Sequence, residues 1–100
     1  MLQAVATTQV DNERTVVTLW EFAPGAETGM HIHQHDYCVV PMTDGTLKLV
    51  APDGAETLAD LKAGESYFRN AGVHHNVINA GEVDYSFVEI EIVWPAIFVG

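Results

Sequence analysis

The chain reads as an all-β protein, and three observations carry that reading. Short runs rich in β-branched and aromatic residues recur roughly every ten residues, as they do in sandwiches and barrels. Gly, Pro and Asp break the chain between them, as at Pro24-Gly25, Thr43-Asp44-Gly45, Pro52-Asp53-Gly54 and Ala71-Gly72. No stretch shows the 3.6-residue apolar period of an amphipathic helix.

The elements follow in order. Thr15 to Phe22 (TVVTLWEF) is dense in strand formers and is predicted as the first strand. Tyr37 to Met42 (YCVVPM) is the next, and Pro41 inside it predicts a bulge or an edge position, because proline donates nothing to a sheet ladder. Asp44-Gly45 is a favoured hairpin dipeptide, so a tight turn is expected before Thr46 to Val50 (TLKLV). Glu56 to Leu61, Ser66 to Arg69 and His74 to Asn79 (HHNVIN) supply three further short strands. Tyr85 to Trp94 (YSFVEIEIVW) is the longest. On it Ser86, Val88, Ile90, Ile92 and Trp94 share one face. Tyr85, Phe87, Glu89, Glu91 and Val93 share the other. Glu89 and Glu91 line a cavity if their face points inward and are surface residues if it points outward, and since charged groups favour water the surface is the expectation. With no linker or repeat, residues 1–100 are expected to form one domain.

Composition narrows the partners. Fourteen acidic residues stand against four cations, for a formal charge of −10. That balance argues against nucleic acid or an anionic membrane surface, which both require clustered Lys and Arg. No apolar run is long enough for a spanning helix. The single cysteine, Cys38, has no internal disulfide partner, and the N-terminus lacks the pattern of a signal peptide. A cytoplasmic location is the expectation. Apolar residues make up 48% of the chain, enough for a core but a small one, so a homodimer interface would help. Thr15 to Phe22 is the edge expected to serve it.

All five histidines fall in two clusters, His31-Ile32-His33-Gln34-His35 and His74-His75. On a strand, His31, His33 and His35 point one way. Converging neutral imidazoles are a common means of holding a transition metal. His74 has the opposite parity to His75 and is expected outside.

At these residues the chain resembles the cupins. Their first motif runs Gly, five residues, His-x-His, three or four residues, Glu, six residues, Gly. Here Gly25 precedes AETGM and His31-Ile32-His33, and Gly45 matches the second glycine. The second motif runs Gly, five residues, Pro-x-Gly, two residues, His, three residues, Asn. Here Gly64, ESYFR, Asn70-Ala71-Gly72, Val73-His74, His75, NVI and Asn79 follow in turn, with Asn70 in place of the proline. The segment HIHQHDYCVVPMTDG also looks like that of small single-domain cupins.

The resemblance implies a double-stranded β-helix, the jelly-roll cupin barrel, with a divalent metal near its axis. It carries over His31, His33 and His75 as metal ligands. The family's glutamate falls at Tyr37 or Cys38, neither a carboxylate. Tyr37 shares the parity of the histidines and takes that place as the candidate catalytic residue. Cupins with three histidines and no glutamate include mononuclear non-haem iron dioxygenases, so Fe(II) is the favoured cofactor, with Zn, Mn or Ni as alternatives. The implied function is oxidation of a small organic metabolite. A non-redox isomerase or lyase and a small-molecule-binding module are the alternatives.

Other readings stay open. His35 is a ligand, a partner of the ligands, or a group at the barrel mouth. Arg69 binds a substrate carboxylate or is a surface charge. Trp20, Phe22, Tyr67, Phe68 and Phe87 are expected in the core or the pocket wall. Gly25, Gly45, Gly64 and Gly72 are expected in turns, and Asn79 as a cap on one.

Overall fold

The computed structural model describes residues 2–93. They form nine strands: β1 (Val5–Asp11), β2 (Thr15–Phe22), β3 (His31–Ile32), β4 (Asp36–Pro41), β5 (Gly45–Val50), β6 (Glu56–Leu61), β7 (Tyr67–Arg69), β8 (His74–Asn79) and β9 (Tyr85–Ile92). Among the described residues there is no helix. The end of the long last run, at Trp94, lies outside them.

Two antiparallel sheets face each other. One has the order β1-β2-β9-β4-β7, the other β3-β8-β5-β6. Neighbours in space are mostly distant in sequence, as in a jelly roll, where the chain passes repeatedly between the two layers. The Asp44-Gly45 segment makes one of these passages. It links β4 of one sheet to β5 of the other and is not a hairpin turn. The Asp44 carboxylate accepts the Ala63 N–H at 2.9 Å and so ties the passage down.

One further expectation is corrected, and the edge position expected for Pro41 is met at the end of its strand. β2 lies between β1 and β9, so Thr15–Phe22 is not an edge; β1 is. Pro41 ends β4 and pairs with Phe87, while β7 covers β4 only from Tyr37 to Val39. On the β7 side the strand is therefore unpaired where the proline sits.

The core is the sandwich filling: Phe22, Ala26, Tyr37, Val39, Leu47, Val77, Tyr85 and Phe87. Phe22 sits against Phe87, with ring centroids 5.5 Å apart, and near Tyr85 at 6.3 Å. Full burial of each large apolar side chain contributes about 1.5–3 kcal/mol. Gly45 begins β5 directly against the Tyr85 ring, where a side chain has no room. Gly25, Gly64 and Gly72 have positive φ and serve as turns. Asn79 is buried and caps the next turn. Its Nδ2 donates to the carbonyls of Phe22 and Val83, at 3.2 and 2.9 Å, and its Oδ1 accepts from Gly81 N–H. Phe68, expected in the core or pocket wall, is instead 50% exposed, because the inward positions of β7 belong to its neighbours Tyr67 and Arg69.

This packing closes one end of the sandwich and leaves the other hollow. The inward residues of β9 change along the strand from Tyr85 and Phe87 to Glu89 and Glu91. Aromatic filling ends there, and a cavity begins.

Candidate metal centre

The two histidine clusters meet because β3 pairs with β8. His31 stands opposite His75, and Ile32 opposite His74. Strand β3 covers only His31 and Ile32, but the pairing direction continues past it. The His33 N–H donates to Val73 O at 2.9 Å, and the Gly72 N–H donates to His33 O at 2.8 Å. His33 therefore keeps the parity of His31 and faces inward with it.

The three imidazoles converge. His31 Nε2 lies 2.9 Å from His33 Nε2, which lies 3.2 Å from His75 Nε2. One nitrogen from each ring falls within a 4.8 Å group. The rings stand nearly edge to face, at 71–86° in all three pairs. His31 Nδ1 lies 2.8 Å from the Gly29 carbonyl, a contact that assigns its proton to Nδ1 and leaves Nε2 a bare lone pair. Gly29 is itself held by Asn76, whose Oδ1 accepts its N–H at 2.9 Å.

This donor set fits a metal ion. Metal–nitrogen bonds of about 2.0–2.1 Å place neighbouring ligand nitrogens about 2.9–3.3 Å apart for angles between 90° and tetrahedral. The His31–His33 and His33–His75 spacings fall in that range, and all three nitrogens lie within 4.8 Å of one another. A proton on one Nε2 serves one neighbour, whereas a cation between them satisfies all three lone pairs. The protonation state also suits it. Burial, then the neighbouring His31 and Arg69, lower the His33 pKa to about 4. Burial and the other histidines lower His75 to about 4. Both rings are neutral at pH 7, as ligands must be. Three histidines could thus hold a metal ion here.

The cavity around them has a volume of about 380 Å³. Tyr37 forms part of its floor and is buried, its ring stacked on His33 with centroids 3.9 Å apart. Burial raises its pKa to about 12, so its hydroxyl keeps its proton. His35 is half-buried and lines the cavity without joining the three-nitrogen group. His74 is exposed, as expected. Cys38 is half-buried and has the opposite strand parity to Tyr37. Asp36, beside it, accepts the Ala71 N–H at 2.8 Å and holds the β7–β8 turn.

Glu89 and Glu91 overturn the surface expectation. Both line the cavity, and Glu89 is only 8% exposed. A Glu89 carboxylate oxygen lies 4.0 Å from His33 Nδ1. Burial, with Glu91 beside it, raises the Glu89 pKa to about 7. The site therefore does contain a carboxylate, supplied by β9 and not by the motif position. Arg69 is half-buried and also lines the cavity. Sequence reasoning had no means to rank Gly29 or Asn76, whose roles depend on loop geometry. For Glu89, shared parity with Phe87 was the one usable signal.

Comparison with known proteins follows the same pattern. The family model described as Cupin domain matches residues 18–91. The β-alanine degradation protein BauB of Pseudomonas aeruginosa is 62% identical over 90 residues, covering 90% of this chain and 94% of that protein. The crystal structure of a cupin domain from Bordetella pertussis is 53% identical, with a TM-score of 0.87, over 91% of this chain and 94% of that one. A conserved protein with a double-stranded β-helix domain from Klebsiella pneumoniae superposes with a TM-score of 0.73 at 24% identity, over 91% and 77% of the two chains. At that identity the likeness shows the fold alone.

Proposed function

The chain belongs to the cupin domain family, and from that premise we propose that it is a metal-dependent enzyme acting on a small organic metabolite, with iron(II) held by His31, His33 and His75. The observation that carries the reading is the approach of three Nε2 atoms in a cavity large enough for a small ligand. Iron bound there would supply Lewis acidity and one-electron chemistry toward dioxygen. The relative named for β-alanine degradation fits a small-metabolite role, without fixing the chemistry.

The protein's own groups have distinct tasks in this reading. Gly29 and Asn76 orient the His31 ring. Tyr37 packs against His33 and, as the catalytic residue, offers a phenol proton to a polar atom of the substrate. Trp20, Val39, Leu49 and Phe87 form apolar wall that limits water around it. Residues 1–100 act as one domain. We further read the exposed edge strand β1 as pairing with a second copy, giving a homodimer that light scattering would detect.

One observation favours a second reading. Glu89, with a pKa of about 7, is a buried carboxylate able to take up or release a proton near neutrality. Such a group suits an isomerase or lyase using zinc, manganese or nickel as a Lewis acid. Metal content of untagged protein, measured beside a His31→Ala/His33→Ala control, tests both. One equivalent of iron, lost in the control, supports the first reading. One equivalent of another metal, with turnover under strict anaerobiosis, supports the second. No metal after reconstitution would leave a binding module and sink both.

A further inference from the structure

We infer that the substrate of this cavity is a short carboxylate bearing a hydroxyl or amino group, and that Arg69 is the residue that recognises its acid end. The inference rests on the small-metabolite reading above and adds the substrate class to it.

Of the chain's four cations, Arg69 is the one that lines the histidine cavity. Strand register places it. Glu91, Tyr37 and Arg69 form one row across β9, β4 and β7. Glu89, Val39 and Tyr67 form the next. All six residues line the cavity. Adjacent strands lie about 4.8 Å apart, so the floor is acidic on its β9 side and cationic on its β7 side, with Tyr37 between.

Arg69 is not consumed by this arrangement. Among the described residues the close contacts between a basic side chain and a carboxylate are His33–Glu89 at 4.0 Å, with the ring neutral at pH 7, and Lys48–Glu56 at 3.7 Å, and Arg69 is in neither. A half-buried guanidinium presents a planar fork of donors that matches a carboxylate in a bidentate pair. The molecule as a whole, at a formal charge of −10, repels anions. A local cation is therefore what an anionic substrate requires here.

The two sides of the floor also set orientation. An acid group is repelled from Glu91, and from Glu89 when it is ionised, and drawn to Arg69. The β9 side is left for a hydroxyl or an amine, which those carboxylates can accept from. The cavity volume of about 380 Å³ lies toward the small end of ligand cavities, roughly 300–1,000 Å³.

The test uses lactate, 3-hydroxypropionate and β-alanine, each beside its primary amide, titrated by calorimetry into the full chain with and without metal. The expected result is that at least one acid binds more tightly than its amide by about tenfold or more. Arg69→Met should erase that preference and Arg69→Lys keep part of it, with metal content and melting temperature unchanged by either. Should Arg69→Met melt early, the wild-type acid–amide comparison and Arg69→Lys still decide. Equal binding of acid and amide, no binding by any acid, or a preference that survives Arg69→Met would overturn the inference. Metal content reads the underlying proposal separately. An acid preference in protein that takes no metal would remove the metal reading and leave the Arg69 subsite standing.

Discussion

The Tyr37 ring lies on the His33 ring, with centroids 3.9 Å apart and planes 19° from parallel. The contact gives Tyr37 two separable roles, a packing one through the ring and a chemical one through the hydroxyl. Tyr37→Phe keeps the ring and removes the proton. We expect it to hold metal within about twofold of wild type and to lose about 10²-fold in turnover. Tyr37→Ala should also cost about 3–5 kcal/mol of stability, since it empties a buried aromatic site. Metal titration, turnover and thermal melts on the two variants separate the roles. Full turnover in Tyr37→Phe would reduce the residue to filling.

Any one of His31→Ala, His33→Ala or His75→Ala should lower metal affinity by more than about 100-fold, because losing even a partner that orients a ligand costs about 10–100-fold. Asn76→Ala tests that weaker case. It frees Gly29, whose carbonyl fixes the His31 ring, and should cost about tenfold. His74→Ala and His35→Ala should leave metal content unchanged. Competition with a metal-binding dye reads all six, and unchanged affinity in His75→Ala would remove that residue from the site.

The fold and the three histidines were legible because both are written in local patterns. β2, β6 and β8 have the bounds their side chains predict. β1 was not visible, since Val5–Asp11 (VATTQVD) is exposed throughout and shows no alternation to read. The Asp44-Gly45 dipeptide suggested a hairpin, but a turn signal says that the chain bends and not which sheet it enters next. Parity on β9 gave the right two sets of residues and the wrong inward one. Val88, Ile90 and Ile92 look like a core, yet the inward face carries Glu89 and Glu91. A functional cavity reverses the apolar-inside rule where it opens, so hydrophobicity misleads at the site itself. The same holds for Arg69, a charged residue that lines the cavity although no local pattern places it there.

Gly45→Ala should destabilise the protein by about 1–3 kcal/mol through overpacking. A Cβ there would lie 2.9 Å from Tyr85 Cε1 and closer still to the adjacent ring atom. Tyr85 is buried among Phe22 and Phe87, so the ring cannot simply swing away. Gly54→Ala is the contrast. Its φ of 90° disfavours a side chain, but the space around it is open. Its cost is conformational strain alone. Thermal melts should show Gly45→Ala relieved by Tyr85→Leu and Gly54→Ala indifferent to it.

The stability of metal-free protein should fall between pH 6.5 and 4.5, and Glu89 should soften that fall. His33 and His75 drop from 6.5 to about 4 on folding. Within that window the unfolded chain binds more protons at both, so stability rises with pH and is lost as pH falls toward 4. Glu89 moves the other way, from 4.5 to about 7. Between those values the folded chain binds the extra proton, so the Glu89 contribution is present below 4.5 and is lost as pH rises through 7. From 4.5 to 6.5 the two histidines outweigh the one carboxylate. Glu89→Gln removes the opposing group, so its melting temperature should drop more steeply than wild type from pH 6.5 to 4.5. From pH 6.5 to 7.5 the residual histidine contribution and that of Glu89 nearly cancel in wild type, so its profile should be flat while that of the variant still rises slightly. Melting curves across that range decide the point. Parallel profiles for the two proteins would mean that Glu89 does not titrate as its burial requires.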